Sequence, residues 1–316
     1  MTFNKLRQLR YLVRIIQDRF RNSNFEVSQL YRIEGTRYLT SDTSYLSDET
    51  FPNFQAQLEV FKRLLIELVS KSNAKSFYKF GDGDYYFLAA EEVGSAKPGN
   101  RALSKPYSHI GLDTFSVRSK KNDYYLCEIP SHNQNLFRKT FPDLSPSFPA
   151  EYAYGLIANR WLTQEFAGRI GLIGAGEKLQ IIKELLRHPV YQQYLGLEKF
   201  EDYISIPQKF ACDNLTNTLD SLRDQLKNAT SEILLVGVGH VKSGVLSELS
   251  QLHEAVYLDV GSGVDALAGI IDTKRPYFAD WKNYQLAEPE FYENLDLLQY
   301  NHGNEVRLKK IKGTDE

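Results

Sequence analysis

Two aspartates separated by one glycine, Asp82 and Asp84, are the residues of this chain whose type and spacing are best suited to chemistry. An apolar, aromatic run over residues 76–80 stops at Gly81, and a second apolar run starts at Tyr85. This pattern predicts a strand, a turn and a helix, with both carboxylates beyond the carboxyl end of the strand, where ligands bind in open α/β sheets. Such a pair can hold one Mg²⁺ or Mn²⁺ whose shell is completed by water and substrate phosphates. The alternative is an ordinary Asp-Gly turn with two solvated carboxylates.

The composition excludes several classes of protein. With 42% hydrophobic and 25% charged residues in a chain of 316, the sequence is typical of a folded globular protein. A formal net charge of −2 gives no indication of nucleic-acid binding, so no nucleic-acid partner is expected. Two cysteines far apart provide no disulfide framework. No apolar stretch reaches the roughly 18 residues of a membrane span, and no signal peptide is recognisable. We therefore expect a cytoplasmic protein.

The first 50 residues differ in character from the rest. Residues 3–21 combine apolar side chains at three- and four-residue spacing with six basic residues, which predicts a basic amphipathic helix. This helix could lie on an anionic membrane surface, at the inner face of the membrane, or pack on the domain or on a second subunit of a homo-oligomer. Residues 22–50 are polar and rich in turn-forming residues. We therefore expect residues 1–50 to form a helix and connector, and residues 51–316 to form a single α/β domain.

Beyond the acidic pair, short apolar segments alternate with segments of helical periodicity. Strands are predicted at residues 124–129, 169–174, 203–206, 232–236 and 255–260. Helices are predicted at residues 54–69, 150–166, 177–186, 211–228, 241–252 and 264–271. This alternation predicts an α/β fold with a Rossmann-like, mostly parallel sheet flanked by helices. Residues 94–122 are rich in Gly, Lys, Ser and Pro and are expected to form a long basic loop.

Three predicted strand-to-helix turns carry glycine and could place backbone N–H groups against a phosphate. They are residues 171–178, residues 236–240 and residues 259–265. A helix N-terminus at the carboxyl edge of a sheet favours phosphate binding, but close packing of a strand on a helix also demands glycine. The first turn fails the dinucleotide-binding fingerprint, because Leu179 stands where the third glycine would be.

Three residues on these turns could accept a proton from a substrate hydroxyl, namely His240, Asp265 and Glu177. His240 could instead cap or pack against a neighbouring element. Asp265 could simply complement the dipole of the helix that it begins. The sequence is equally consistent with a catalytic and with a structural role for His240 and for Asp265.

The sequence around the two aspartates resembles a family signature. The string from Lys79 to Asp84, Lys-Phe-Gly-Asp-Gly-Asp, resembles the Arg-Phe-Gly-Asp-Gly-Glu signature of bacterial glycosyltransferases with the GT-D fold. Lysine replaces arginine and aspartate replaces glutamate, so the charge signs are kept while reach and hydrogen-bond geometry change. A second pattern of that family, Asp-x-Gly-Ser-x-x-Asp followed by a basic residue and Tyr, is matched by Asp259, Gly261, Ser262, Asp265, Arg275 and Tyr277.

This resemblance implies a metal-dependent glycosyltransferase with residues 51–316 as its catalytic domain. The donor would be a nucleotide-sugar, expected to be a UDP-sugar, and the acceptor a bacterial cell-surface glycan, glycolipid or glycoprotein. Asp82 and Asp84 would bind Mn²⁺ or Mg²⁺, and Asp84 would take part in catalysis together with His240 or Asp265. The residues expected to bind the donor are Lys79, Gly81, Asp82, Gly83, Gly237, Gly239, Asp259, Gly261, Ser262 and Arg275.

Two other functions are open from the sequence. Residues 257–263 resemble the first motif of S-adenosylmethionine-dependent methyltransferases. In those enzymes the motif opens the sheet and the acceptor half follows, which the chain after Gly263 is expected to be too short to form. A non-catalytic module that binds a nucleotide or a sugar would also use the glycine turns. Binding without turnover would indicate the module, whereas turnover that needs both aspartates would indicate the enzyme.

Overall fold

The computed structural model describes residues 54–89, 111–129, 131–158, 160–207, 211–270 and 290–293, and the single residues 284, 286 and 295. The helix predicted at residues 3–21, the connector after it and the expected donor-binding residue Arg275 lie outside these ranges. The division of the chain into residues 1–50 and a single domain over residues 51–316 therefore stays a prediction.

A sheet of seven parallel strands runs through the described part of the chain. The strands are β1 Lys75–Phe80, β2 Tyr124–Cys127, β3 Phe148–Pro149, β4 Ile170–Ala175, β5 Tyr203–Ile206, β6 Ile233–Gly237 and β7 Val256–Asp259. Their order in the sheet is β3-β2-β1-β7-β6-β4-β5. The last strand in sequence, β7, thus lies beside the first, and β2 lies on the other side of β1. The predicted Rossmann-like α/β fold with a mostly parallel sheet is confirmed.

Helices connect the strands and cover both faces of the sheet. They are α1 Phe54–Ser70, α2 Asp82–Leu88, α3 Leu112–Ser119, α4 Ser131–Thr140, α5 Ala150–Ala158, α6 Trp161–Glu165, α7 Gly176–Leu185, α8 Pro189–Leu195, α9 Leu215–Leu226, α10 Lys242–Leu249, α11 Ser262–Leu267 and α12 Glu290–Glu293. A 3₁₀ turn, Gly239–Val241, leads into α10. Within the described ranges, none of these helices combines the length and the hydropathy that a membrane crossing requires.

The strands are buried on both faces, and their alternating side chains divide the core in two. Successive strand residues point to opposite faces, so Phe77 packs with α1 and α5 while Tyr78 packs with α4 and α10. The first side of the core also takes residues of α7 and α11, and the second takes residues of α9. Strands buried on both faces are nearly continuously apolar, as parallel sheets require. The polar residues of the sheet are consequently confined to its edges, where the chain turns.

Two sequence predictions of local structure are wrong. Residues 112–119, expected in a long loop, form helix α3, because Phe115 packs against Phe87 of α2 with ring centroids 5.2 Å apart. The single helix expected over residues 150–166 is divided into α5 and α6, with Arg160 at a φ of 66° immediately before α6. Helix α4 was not predicted, since its sequence is mostly polar and buries few side chains. In each case tertiary packing outweighs local composition.

Candidate active site at the carboxyl edge of the sheet

The acidic turn stands at the carboxyl end of β1, near the middle of the sheet. The chain passes from β1 through Gly81 directly into α2, so Asp82 and Asp84 are the first and third residues of that helix. The strand, turn and helix predicted here are therefore present. Asp84 accepts a hydrogen bond from the Gly81 backbone N–H at Oδ2, with a length of 2.8 Å. Both carboxylates also suit the positive end of the helix dipole.

A buried lysine that the sequence analysis did not select, Lys242, binds this turn to the neighbouring strand. Its Nζ lies 3.1 Å from Asp84 Oδ2 and 2.8 Å from Asp259 Oδ2, and it donates to the Lys79 backbone oxygen. Lys242, Asp84 and Asp259 are respectively 6%, 4% and 1% exposed, so one ammonium offsets part of the charge of two carboxylates away from water. We name these three residues the buried ion triad. One sequence feature could have indicated it, because lysine in the first turn of a helix opposes the helix dipole and needs an acidic partner.

The triad sets the charge state of the acidic turn. Burial alone would raise the pKa of Asp84, but the positive charge of Lys242 and the contacts from His240 and Lys79 outweigh it. Together they hold the pKa of Asp84 well below its usual range. Asp84 is therefore a carboxylate throughout the physiological pH range.

His240 reaches the acidic turn from β6, two strands away from β1. Its Nδ1 lies 3.9 Å from Asp84 Oδ1, and its ring stacks on Phe87 with centroids 5.0 Å apart. Gly83 makes this approach possible, because a Cβ at that position would lie 3.0 Å from His240 Cε1. The structure thus brings three of the expected site residues together, and Gly83 serves the packing of the histidine.

Lys79 is the second buried cation at this edge. Its ammonium lies 5.0 Å from the centroid of the Tyr154 ring, and its backbone N–H donates to Asp259 Oδ2 over 3.1 Å. Burial alone would lower the pKa of Lys79, but Tyr154, Asp259 and Glu128 raise it above its usual value. Gly261, with a φ of 50°, leaves room for this side chain, because a Cβ there would lie 2.9 Å from Lys79 Cε. The lysine is therefore charged and held beside the glycine turn that follows β7.

Asp265 is paired with a lysine of another helix, and Glu177 lies away from the acidic turn. Asp265, in α11, forms a buried ion pair with Lys178 of α7, and each side chain is less than 10% exposed. Glu177 is exposed at the start of α7, which follows β4. Since β4 lies three strands from β1, a spacing of about 4.8 Å per strand puts Glu177 roughly 14 Å from the acidic turn.

Several residues expected to bind the donor have structural contacts of their own. The Asp259 carboxylate accepts three hydrogen bonds. The Lys79 backbone N–H and the Lys242 ammonium donate to Oδ2, and the Gly261 N–H donates to Oδ1 over 2.9 Å. Gly237 lies against Val264, where a Cβ would come within 2.6 Å of that side chain. Gly239, with a φ of 60°, has open space in front of it, and Ser262 begins α11.

The residues that could hold a divalent cation are the two aspartates of the turn. No group of three or more His, Cys, Asp and Glu side chains suited to a metal occurs among the residues that the structure describes. Asp84 Oδ2 is engaged by Lys242 and Gly81, so Asp84 Oδ1 and the half-buried Asp82 carboxylate form the donor set. Hard carboxylate oxygens suit Mg²⁺ or Mn²⁺, which commonly takes its remaining ligands from water and phosphate. Two carboxylates could supply part of the shell of such a cation, and water and a bound phosphate would have to supply the rest.

Two glutamates that the sequence analysis missed, Glu128 and Glu151, lie on the β2 side of the turn. Glu128 directly follows β2, is half-buried, and accepts a hydrogen bond from the Asn133 amide. Glu151 is the second residue of α5 and is 4% exposed. Its Oε1 accepts the Ile129 N–H over 3.1 Å, whereas its buried Oε2 has no hydrogen-bond partner among the described residues. Burial and the charge of Glu128 raise the pKa of Glu151 to about 8. The sequence analysis placed Glu128 inside the strand predicted at residues 124–129 and Glu151 inside the helix predicted at residues 150–166, so neither stood out as a site residue.

Comparison with known proteins adds one similar structure. No family model matches the chain, and no curated protein matches it. The chain is similar to a solved structure described as a new glycosyltransferase (DUF1792) from Streptococcus sanguinis, with 13% identity and a TM-score of 0.39. The match covers 74% of this chain and 91% of that one. At that level of likeness the activity of the neighbour is not transferred to this chain.

Proposed function

We propose that this chain is a glycosyltransferase that moves a sugar from a nucleotide-sugar, a UDP-sugar above all, to a glycan, glycolipid or glycoprotein acceptor. The observation that carries the proposal is that His240 and two buried lysines surround Asp84 at the carboxyl end of β1, with Asp82 two residues earlier in the same turn. Open α/β sheets bind ligands at this edge. The resemblance of residues 79–84 to the GT-D signature supports the same assignment.

Each charged side chain of the site would have its own role in binding or in the reaction. Asp82 and Asp84 Oδ1 would hold Mn²⁺ or Mg²⁺, which as a Lewis acid neutralises the charge that builds on a departing diphosphate. Lys79 stands beside the Gly261 turn and would add a fixed positive charge near the diphosphate. Lys242 would keep Asp84 ionised and oriented rather than bind the donor. His240, with 26% of its side chain exposed, would contact the ligand from the β6 side.

The glycine turns would complete the donor site. Gly239 and Ser262 would bring backbone and hydroxyl groups to the donor, and Arg275, which lies outside the described residues, would add a cation. Gly81, Gly83, Gly237 and Gly261 would act through packing that lets the turns approach each other. Asp259 would hold Lys79 and Lys242 in position rather than contact the donor, because its carboxylate accepts hydrogen bonds from the Lys79 backbone N–H and the Lys242 ammonium.

Exchanging Asp82 for asparagine is expected to lower donor hydrolysis by about 100-fold or more, because the amide cannot hold a cation that stabilises developing charge. Release of nucleoside diphosphate would be measured on a panel of nucleotide-sugars with Mn²⁺, Mg²⁺ or EDTA. Asp82→Asn should melt close to the wild-type temperature, since Asp82 is half-buried and outside the ion triad. Asp84→Asn should lose activity and stability together, because Lys242 would lose one of its two carboxylate partners.

The matched control is Asp220→Asn, on the exposed side of α9, which should keep the wild-type rate. Full activity in EDTA would remove the metal from the proposal. Nucleotide binding without turnover in the wild type would favour the non-catalytic module, and tight binding of S-adenosylmethionine instead would favour the methyltransferase.

We further propose that the protein acts in the cytoplasm and contacts the inner face of the membrane through residues 3–21, where a lipid-linked acceptor would be met. The six basic residues of that segment motivate the proposal. Full-length protein should float with liposomes that contain anionic lipid, and protein beginning at residue 22 should not. Equal flotation of both would instead favour packing of the segment on the domain or on a second subunit.

A further inference from the structure

Strand β2 lies next to β1 on the side opposite β7, and the residues that follow it have no role in the donor site proposed above. Glu128 follows β2, the direct neighbour of β1, so it begins about one strand spacing, roughly 4.8 Å, from the strand that carries the turn. On the other side of β1, strand β7 carries Asp259, whose carboxylate oxygens already contact two backbone N–H groups and Lys242. The charges of Asp259 and Glu128 both raise the pKa of Lys79.

A cavity of about 350 Å³ lies at the β2–β3 side of the sheet. Its lining includes Cys127 and Ile129, the two neighbours of Glu128 in sequence, and Gln134, whose amide donates to the Glu128 backbone oxygen over 2.8 Å. Its volume falls in the range of small-molecule sites, about 300–1,000 Å³. The cavity therefore adjoins the part of the candidate site that carries Glu128.

The chemistry of the lining selects the kind of ligand. Two amides and one hydroxyl, from Gln57, Gln134 and Ser147, can exchange hydrogen bonds with a hydroxylated ligand, and Phe148 offers an aromatic surface. Among the described residues that line the cavity, none carries a charge, which leaves no counter-ion for a phosphate. A neutral saccharide matches this combination of amides, hydroxyl and aromatic ring.

We propose that this cavity is the acceptor site, that it binds a neutral saccharide, and that a hydroxyl of this saccharide extends beyond the uncharged lining to Glu128, which takes its proton. The inference rests on the proposed glycosyl transfer. The acceptor oxygen would form the bond to the anomeric carbon while the bond from that carbon to the donor phosphate oxygen breaks. The electron pair of the broken bond would leave on the nucleoside diphosphate, and the hydroxyl proton would pass to the Glu128 carboxylate and then to solvent.

Glu151 has a positioning role in this arrangement. Its Oε1 fixes the Ile129 N–H, and thereby the backbone that follows Glu128. Burial and the charge of Glu128 raise the pKa of Glu151, so Glu151 is protonated near neutral pH. The accessible member of the pair is thus the base, and the buried member is neutral.

The other candidate bases fit this role less well. The Asp265 carboxylate pairs with buried Lys178, and Glu177 lies three strands from the turn. His240 is packed between Phe87 and Asp84 on the side away from the cavity. Glu128 is half-buried, next to the cavity and next to the strand that carries the donor turn.

The kinetic test compares Glu128→Gln with wild type, using nucleotide-sugars as donors and a panel of p-nitrophenyl hexosides as acceptor probes. Transfer is expected to fall by about 100-fold or more, in line with loss of a general base, while calorimetry shows unchanged affinity for the nucleoside diphosphate. In Glu128→Ala, added formate should restore part of the transfer by supplying a carboxylate. The matched control is Glu232→Gln, at the amino end of β6, which should transfer at the wild-type rate. Wild-type transfer by Glu128→Gln, or equal loss of nucleotide binding, would overturn the assignment of the base.

The binding test does not depend on turnover. Saturation-transfer NMR on the full chain without nucleotide should detect the hexosides, and Ser147→Trp and Gln57→Trp, which fill the cavity from two elements, should each abolish the signal. Binding that survives in both variants, or no binding in wild type, would overturn the acceptor site. Hexoside binding lost in both variants, in a protein that hydrolyses no nucleotide-sugar, would instead reject the proposed function and leave the saccharide site standing.

Discussion

Replacement of Lys242 by methionine is expected to lower the free energy of unfolding by about 3–5 kcal/mol, the usual cost of removing one partner from a buried ion pair. Methionine keeps most of the side-chain volume but leaves Asp84 and Asp259 buried without their shared cation. The Lys79 backbone oxygen would lose a donor as well. Chemical unfolding of wild type and variant in the same buffer measures the difference.

The matched control is Lys227→Met, which removes an ammonium from an ion pair on the exposed surface of the chain. Such pairs contribute little, so its unfolding curve should nearly overlay that of wild type. Because Lys242 and Asp84 share one contact, the double variant Lys242→Met/Asp84→Asn should lose less than the sum of the two single losses. Strict additivity, or a wild-type curve for Lys242→Met, would show that the triad does not stabilise the fold.

The stability of wild type is expected to fall as pH rises from about 4.5 to about 8, and Glu151→Gln is expected to remove much of that fall. The pKa of Glu151 is about 8 in the folded protein against 4.5 for the free group, so between these values the folded chain binds a proton that the unfolded chain has released. Stability from this group is complete below the lower pKa and is lost as pH rises through the upper one. Between pH 4.5 and pH 7 the loss amounts to roughly 3 kcal/mol.

Glutamine imitates the protonated carboxyl and can still accept the Ile129 N–H. The charged groups that act on Glu151 are Glu128 after β2 and Lys79 on β1, and both stay in place in the variant. Urea unfolding at intervals from pH 5 to pH 8 would give the slope for each protein. Glu232→Gln, an exposed change at the other edge of the sheet, should keep the wild-type slope. Parallel slopes for wild type and Glu151→Gln would show that Glu151 ionises normally.

The amino-acid sequence by itself determined the fold class and the local form of the acidic turn. Both depend on neighbours in sequence, because an apolar run that stops at Gly81 and resumes at Tyr85 dictates strand, turn and helix wherever the segment lies. The alternation of apolar and amphipathic segments likewise required a parallel sheet with helices on its faces. It also followed that the acidic pair and the glycine turns would share the carboxyl edge of that sheet.

Only the tertiary structure decided which residues meet at that edge. Lys79 and Asp259 are 180 residues apart in sequence and hydrogen-bonded in the fold, because β7 returns to lie beside β1. The tertiary fold also brings Lys242 between Asp84 and Asp259, pairs Asp265 with Lys178, and places a cavity beside the residues that flank Glu128. A spacing rule cannot supply such pairings, since strand order is set by how the whole core packs. Whether two opposite charges meet therefore depends on which strands they follow and on where those strands lie in the sheet.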